Sequence, residues 1–345
     1  MSSTSSGRIR VDERNAEAPL ASLAEPVAPP GSFYVRSHFD VPRLDPSVWR
    51  LRVGGAVKRE VSFSLEDVRS LPARTVPVTL ECAGNGRRHM VPVPSGTAWD
   101  LGAVSTAAFT GAPLRALLDA AGQGSDAVEV GFAGADGGEV VPGRSEAFQR
   151  SLPIDVARND DTLVAWEMNG TPLAPEHGFP ARLIVPGWYG MASVKWLANV
   201  EVLREPFRGW FQTTHYVYDD ASPVTRARVR SLFAWPEDGM RVAAGANVVH
   251  GIAWSGNGEI SRVRVCVSGE SWIDARLGGP GGPHAATPWR AEISLSAGEH
   301  ELCVRAADAS GREQPLEPVH NRLGYGNNVV QRVRVIAEDA APKSA

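Results

Sequence analysis

Hydrophobic positions are sparse over residues 1–30, which are polar, then Ala/Pro-rich, and close on Ala28-Pro29-Pro30-Gly31. That composition predicts a flexible N-terminal arm, fixed only near Phe33. Beyond it the apolar residues fall in short blocks. Residues 75–80, 127–133, 162–168, 181–186 and 194–203 are predicted strands, several of them continuous apolar runs of the kind buried on both faces. Two short helices are marked by end signals. Ser64-Leu-Glu-Asp67 has capping-box spacing with Asp in place of Glu, and Pro113-Leu-Arg-Ala-Leu-Leu-Asp-Ala-Ala-Gly122 carries Pro at its start and Gly at its end. The order does not repeat as βαβ units, so an α+β domain is expected rather than a doubly wound one. After Tyr216 the texture changes. Residues 241–254, 260–268, 289–295, 299–307 and 329–336 alternate between apolar and polar, with Gly/Pro/Asn turns between them and no helix signal. Roughly 110 residues of this pattern predict an all-β immunoglobulin-like sandwich. The expected domains are therefore 31–222 and 223–338, with a C-terminal tail over 339–345.

A chain of 345 residues suits two such cores. Lys and Arg total 35 against 39 Asp and Glu, for a formal charge of -4. No global basic field points to nucleic acid, so any anion site must be local. The first residues lack an apolar leader segment, and no run of about 18 apolar residues occurs, so no membrane partner and a cytoplasmic location are expected. The three cysteines, Cys82, Cys266 and Cys303, form neither a disulfide framework nor a paired Cys-x-x-Cys zinc pattern, which fits a reducing compartment. Cys266 and Cys303 read as buried core thiols, on strands that face each other.

The most informative stretch is Glu81-Cys82-Ala83-Gly84-Asn85-Gly86-Arg87-Arg88-His89. It follows the predicted strand 75–80 and sets one thiol among glycines and arginines. Guanidinium groups favour the ionised sulfur, the form that attacks substrates or binds a soft metal. Gly84 and Gly86 permit close backbone approach, and the arginines supply forks for an oxyanion. No phosphate-loop or dinucleotide fingerprint accompanies them.

Together with its neighbours, this loop resembles the sulfite oxidase family of molybdopterin enzymes, whose Cys-Ala-Gly-Asn-Arg-Arg loop supplies the only protein ligand to molybdenum. Phe33-Tyr-Val-Arg-Ser-His38 resembles the family's Phe-Val-Arg-Asn-His segment. Trp99 with Gly102-Ala-Val-Ser-Thr106 resembles its Trp-x-x-Gly-Ala-x-Ser-Thr element, and Trp166-Glu-Met-Asn-Gly170 its Tyr-Glu-Met-Asn-Gly turn. His177-Gly-Phe-Pro-Ala-Arg-Leu-Ile-Val-Pro-Gly187 and Ser193-Val-Lys-Trp-Leu197 complete the set, in family order, and the β-rich remainder resembles the family's dimerisation domain. The resemblance implies molybdenum and molybdopterin as cofactors, with Cys82 as the metal ligand. Tyr34, Val35, Arg36, Ser37, His38, Asp136, His177, Arg182, Ser193, Val194 and Lys195 match positions that hold the pyranopterin and its phosphate. Arg36, Arg87, Trp99 and Tyr216 match the substrate pocket, the last through Phe211-Gln-Thr-Thr-His-Tyr216, which resembles Trp-Gln-x-x-Asp-Tyr; Tyr218 competes for that register. Two departures stand out. Gly86 replaces the first arginine of the family's pair, and Asn-Leu-Arg-Gly appears as Asn321-Arg-Leu-Gly324, which shifts Arg322, the remaining substrate-pocket candidate, by one position.

By this resemblance the expected activity is oxidation of sulfite to sulfate by oxygen-atom transfer at a Cys-ligated oxo-molybdenum centre. With no Cys-x-x-Cys-His and no room for a haem or flavin module, electrons are expected to pass to a separate acceptor, a cytochrome or a small oxidant. A homodimer through the sandwich is expected as well. Two alternatives stand: reduction of nitrate or of an S- or N-oxide on the same cofactor, and a non-catalytic β-sandwich binding protein.

Overall fold

The computed structural model of the chain describes residues 7–279 and 281–339. The start of the expected arm (1–6) and nearly all of the expected tail (340–345) lie outside them. The first domain is built on two five-stranded sheets. In one, Arg74–Glu81, Val104–Pro113, Leu163–Met168 and Thr171–Pro172 lie side by side, and Arg182–Ile184 also pairs with Leu163–Met168. The other runs Val61–Phe63, Leu51–Gly55, Leu197–Leu203, Glu129–Val141 and Arg144–Pro153. Pairing in both is antiparallel except between Leu51–Gly55 and Leu197–Leu203. The five strands expected from apolar blocks all form. Strand Glu129–Val141 continues past its expected end, because Gly134-Ala-Asp-Gly-Gly138 is not a turn but a bulge, where the register with Arg144–Pro153 shifts between Ala133 and Gly137. That bulge aims Asp136 inward.

Both helix ends behave as their residues dictate. In Leu65–Ser70 the Ser64 hydroxyl accepts from Asp67 N at 3.1 Å while Asp67 accepts from Ser64 N at 2.7 Å, a complete capping box. Helix Leu114–Ala121 stops at Gly122, whose φ of 72° suits a residue without Cβ.

The arm is corrected from residue 7 onward. Ile9–Arg10 pairs with Ala16–Glu17, and Ala16 exchanges backbone hydrogen bonds with Val35 at 3.0 and 2.8 Å. Ala18 N donates to Gly102 O at 2.9 Å, Ala28 N to Thr106 O at 2.7 Å, and Leu23 and Ala28 are buried. Composition concealed this because the segment is held mainly by backbone hydrogen bonds, which any residue type except proline can donate.

In the second domain two sheets pack as a sandwich. One contains Arg230–Trp235, Gly245–Trp254, Thr287–Leu295 and Arg276–Leu277; the other contains Met240–Ala243, Gln331–Glu338, Gly298–Asp308, Ile260–Val267 and Ile273–Asp274. Alternation sets the inward face: in Gln331–Glu338, Val333, Val335 and Ala337 are buried while Arg332, Arg334 and Glu338 are exposed. Val263, Val265, Leu302, Val304, Phe233 and Trp289 fill the space between sheets. Cys266 and Cys303 are both buried and free, but they are register partners on adjacent strands of one sheet, set apart from the main core against Trp272 and Val330. They do not face each other across the sandwich.

The two domains share a core. Leu232, Ile252, Trp254 and Tyr325 belong to the same apolar cluster as Leu51, Leu117 and Val200. At its edge lies a buried ion pair, Arg230 Nη1 to Glu81 Oε1 at 2.8 Å, each side chain 2% exposed. Trp254 Nε1 donates to Glu81 Oε2 at 2.9 Å, and Asn85 Nδ2 to Oε1 at 3.1 Å. Burial raises the Glu81 pKa while Arg230 opposes the rise. Replacing Arg230 by Met should strand this carboxylate in the core and cost about 3–5 kcal/mol of stability, whereas Arg230→Met with Glu81→Gln should recover a large part of it. Urea denaturation of the parent and both variants checks this.

Candidate active site

Glu81 ends a strand, and the chain turns sharply at Cys82-Ala83-Gly84-Asn85-Gly86. Cys82 N donates to Ala103 O at 2.8 Å and Cys82 O accepts from Asn85 N at 2.9 Å, so the thiol position is fixed by backbone on both sides. Gly86, at φ 79°, has Arg230 Nη2 only 2.7 Å from where a Cβ would stand, so a side chain there would be strained and would push on the buried Arg230. That is the structural reason for glycine where the family carries its first arginine. The loop is clamped from the second domain as well: Arg230 Nη1 donates to Asn85 O at 3.1 Å, Asn327 Nδ2 to Gly86 O at 2.7 Å, and Gly326 N to Ala83 O at 2.7 Å.

Cys82 lines a cavity with about 650 Å³ of atom-free space, counted with its open mouth. Tyr34, Arg36, Ser37, His38, Asp136, His177, Arg182, Ser193, Lys195 and Tyr216 share it, residues scattered over more than half the sequence. Arg182 donates to His177 O at 3.1 Å and to Ser193 O at 3.0 Å; Lys195 Nζ donates to Ser37 Oγ and Glu176 O, both at 2.8 Å. Burial lowers the Lys195 pKa well below its ordinary value and takes Arg182 down to about 10. It pushes Asp136 up to about 6, against the pull of Lys195, and Asp136 Oδ1 and Arg182 Nε are buried without partners among the described residues. Among the described residues neither Arg182 nor Lys195 forms an ion pair with a carboxylate, although Asp136 and Glu176 attract Lys195 through space.

At the Cys82 end, Arg36 Nη2 meets His38 Nδ1 at 2.9 Å, and His38 Nε2 meets the Tyr216 hydroxyl at 2.7 Å. Arg36 Nη2 also lies 3.3 Å from His38 Nε2, so the guanidinium sits against both ring nitrogens and does not select a tautomer. The His38–Tyr216 bond links the two side chains whichever of them donates. Burial and the Arg36 charge hold the His38 pKa well below its usual value, so the ring stays neutral. The Cys82 thiol is pushed up by burial, which outweighs the opposing charges of Arg36 and Arg87. The expectation of a free thiolate there is corrected on that ground: desolvation wins until something soft and positive binds the sulfur.

Five predicted residues stand elsewhere. Val35 and Val194 are buried with their amides bonded to Ala16 O and Ala192 O, so neither offers the cavity a donor. Trp99 is fully buried in the cluster behind Cys82. The Arg87 guanidinium lies outside the cavity wall in a sleeve of glycines, with Cβ positions of Gly84, Gly96 and Gly324 within 3.0 Å of it; it donates to Thr97 O at 2.7 Å and Leu323 O at 3.1 Å. Arg322 is exposed, its amide bonded to Asp219 at 3.0 Å. Asn321 closes a turn on Tyr325 through bonds of 2.8 and 3.0 Å, and this turn sends Arg322 outward and Tyr325 inward, 5.0 Å from Tyr216 between ring centres. Tyr218 loses the register contest, packing under Arg228 instead. Sequence reasoning missed Tyr325, Asn15, His215 and Arg150, whose guanidinium sits 5.6 Å from the Tyr216 ring. Only Tyr325 carried a local signal, the flanking Gly324 and Gly326, both at positive φ.

The family model described as "Oxidoreductase molybdopterin binding domain" matches residues 38–211, and "Mo-co oxidoreductase dimerisation domain" matches 223–338. Sulfite oxidase of Gallus gallus is 38% identical, over 90% of this chain and 73% of that protein. This chain belongs to the sulfite oxidase family. Mitochondrial sulfite oxidase of Rattus norvegicus is 35% identical over 93% of this chain, which spans 64% of that protein's length. The NADH nitrate reductase of Solanum lycopersicum is 32% identical over 93% of this chain, spanning 40% of that protein. Among solved structures, the sulfane dehydrogenase SoxCD from Paracoccus pantotrophus superposes with a TM-score of 0.84 at 28% identity, covering 97% of this chain and 91% of that one. The family's cofactor is molybdenum held by molybdopterin, and the cavity fits it: an anionic phosphate tail and a heteroatom-rich pterin suit unneutralised Arg182 and Lys195 and the partnerless Asp136 oxygen.

His215, missed above, is partly buried between Phe211 and Tyr216, and burial takes its pKa down to about 4. A histidine whose folded pKa lies below its unfolded one stabilises the fold above pH 6.5, and that stability is lost as pH falls toward 4. Between pH 7 and pH 5 the parent should therefore lose on the order of 1–2 kcal/mol more stability than His215→Gln, read from urea denaturation at both values.

Proposed function

We propose that the chain oxidises sulfite to sulfate with Cys82 as the protein ligand to molybdenum, passing two electrons to a separate acceptor. The observation that supports this reading most is the placement of Cys82, Arg36 and Tyr216 in a single cavity whose lining also includes Asp136, His177, Arg182, Ser193 and Lys195. Overall, sulfite and water give sulfate, two protons and two electrons. When bound, the molybdenum group supplies the oxygen atom and takes up the electron pair. The protein's share is binding and proton placement.

Arg36 faces the cavity and offers a fork to the dianion, while Arg87, in its glycine sleeve, adds charge from behind the loop and Trp99 fixes the wall. Tyr216, held by His38 at 2.7 Å, presents its hydroxyl to the bound anion. Tyr34, Ser37, His38, Asp136, His177, Arg182, Ser193 and Lys195 hold the pterin and its phosphate; Val35 and Val194 act only through packing. The second domain pairs two copies of the chain. The acceptor is a one-electron carrier or small oxidant.

A second reading takes a sulfane-bearing substrate, as the name of the SoxCD sulfane dehydrogenase gives for that protein. Its support is the outward turn of Arg322, which leaves Leu323 and Tyr325 in place of another guanidinium. Nitrate or oxide reduction is the remaining reading on the same cofactor.

Molybdenum-replete protein should reduce ferricyanide in a sulfite-dependent way, and Cys82→Ser should lose at least about a thousandfold of that rate while keeping its fold. Turnover with thiosulfate or a persulfide and none with sulfite would move the assignment to the second reading; nitrate reduction by a viologen dye, to the third. Lys195→Met should copurify with less than about a tenth of the parental molybdenum, yet melt at a higher temperature than the parent when both are metal-free, since a buried charge without its anion costs stability. Metal analysis and thermal melts check the two halves.

A further inference from the structure

Residues 12–17 do more than cover the core. Asn15 is 6% exposed, and every polar atom of its side chain is used. Its Oδ1 accepts from Ser37 N at 3.0 Å and from Arg36 Nη1 at 3.4 Å; its Nδ2 donates to both carboxylate oxygens of Asp12, at 2.8 and 2.7 Å. The amide cannot be reversed, because Asp12 offers only acceptors while Ser37 N and Arg36 offer only donors. Asn15 O in turn accepts from Val11 N at 3.0 Å and Asp12 N at 3.2 Å, closing the turn, and the flanking Ala16–Val35 bridge locks it to the segment that carries Arg36.

Building on the sulfite reading, we infer that Asn15 is a positioning residue for the Arg36 guanidinium, with Asp12 fixing its amide. Arg36 is only partly buried, and its other hydrogen-bond contacts are to Ser37 O and to His38, both within two residues of it. Among the described residues, Asn15 alone ties the fork by a hydrogen bond to a different part of the chain. Without that tie the fork keeps its charge but loses its aim, so anion affinity falls while the reaction of bound anion is preserved.

Asn15→Ala should raise the KM for sulfite about tenfold and leave kcat within about twofold, at parental molybdenum content. In an Arg36→Lys background the same substitution should change KM by less than about twofold, since a lysine has no fork for Asn15 to aim. An unchanged KM, or equal effects in both backgrounds, would overturn the inference and leave Asn15 a structural residue. If Asn15→Ala does not fold, Asp12→Ala, at an exposed position, should raise KM in the same direction by a smaller factor, and no rise would equally overturn it. Should the parent fail to turn over sulfite at all, the functional reading falls by itself. Sulfate titrated calorimetrically into parent and Asn15→Ala then decides the positioning claim, with about tenfold weaker binding in the variant supporting it and equal affinity overturning it.

Discussion

Glu81 is the last residue of a strand in the first domain, Arg230 the first residue of a strand in the second, and between their side chains lies the buried ion pair on which the site's geometry rests. Two opposite charges in a core do not stabilise it much in net terms, since desolvation consumes most of their attraction. What they provide is position. Glu81 also accepts from Trp254 and Asn85, Arg230 also donates to Asn85 O, and the loop carrying Cys82 is therefore gripped on one side by its own strand and on the other by the sandwich. The backbone that carries the sulfur cannot shift without breaking hydrogen bonds to buried charged groups. A second domain that merely paired copies of the chain would have no need to reach Asn85, Gly86 and Ala83; this one does, through Arg230, Asn327 and Gly326.

The cavity makes the opposite bargain with stability. Arg182 and Lys195 are buried beside each other's charge, and their pKa values are depressed because desolvation outweighs the groups that oppose it, Tyr34 for Arg182 and Asp136 with Glu176 for Lys195. Such an arrangement destabilises the protein alone and becomes favourable once an anion of fixed shape binds. Binding energy and folding energy are then the same quantity counted from two ends. Asp136, raised to about 6 by the same desolvation, is an acceptor with one oxygen unused, the kind of group a ring N–H satisfies.

Much of this was legible in the chain. The continuous apolar blocks became strands, the capping box and the terminal glycine closed their helices, and the strict alternation of Gln331–Glu338 became a sandwich strand. The cavity residues were found because they lie in runs that resemble motifs of the sulfite oxidase family. What stayed hidden was of two kinds. Residues 7–30 are fixed by backbone hydrogen bonds to Val35, Gly102 and Thr106, which composition does not record. Tyr325, Asn15 and Arg150 reach the residues around Tyr216 and Arg36 from a loop of the second domain, the arm and a hairpin, so their proximity is a property of tertiary packing alone. Arg322 shows the converse: a charge in nearly the right place in sequence is turned outward by one hydrogen-bonded turn at Asn321.

The Tyr216 hydroxyl is placed by the same kind of tertiary contact. His38 Nε2 holds it at 2.7 Å, and Arg36 Nη2 in turn lies against the His38 ring, 2.9 Å from Nδ1 and 3.3 Å from Nε2. Burial depresses the His38 pKa and the Arg36 charge adds to it, because a protonated ring would set two cations in contact. One guanidinium therefore serves two purposes. It brings its charge to the cavity, and by packing on His38 it helps hold the Tyr216 hydroxyl in place, so an error in its position is felt first in binding an anion.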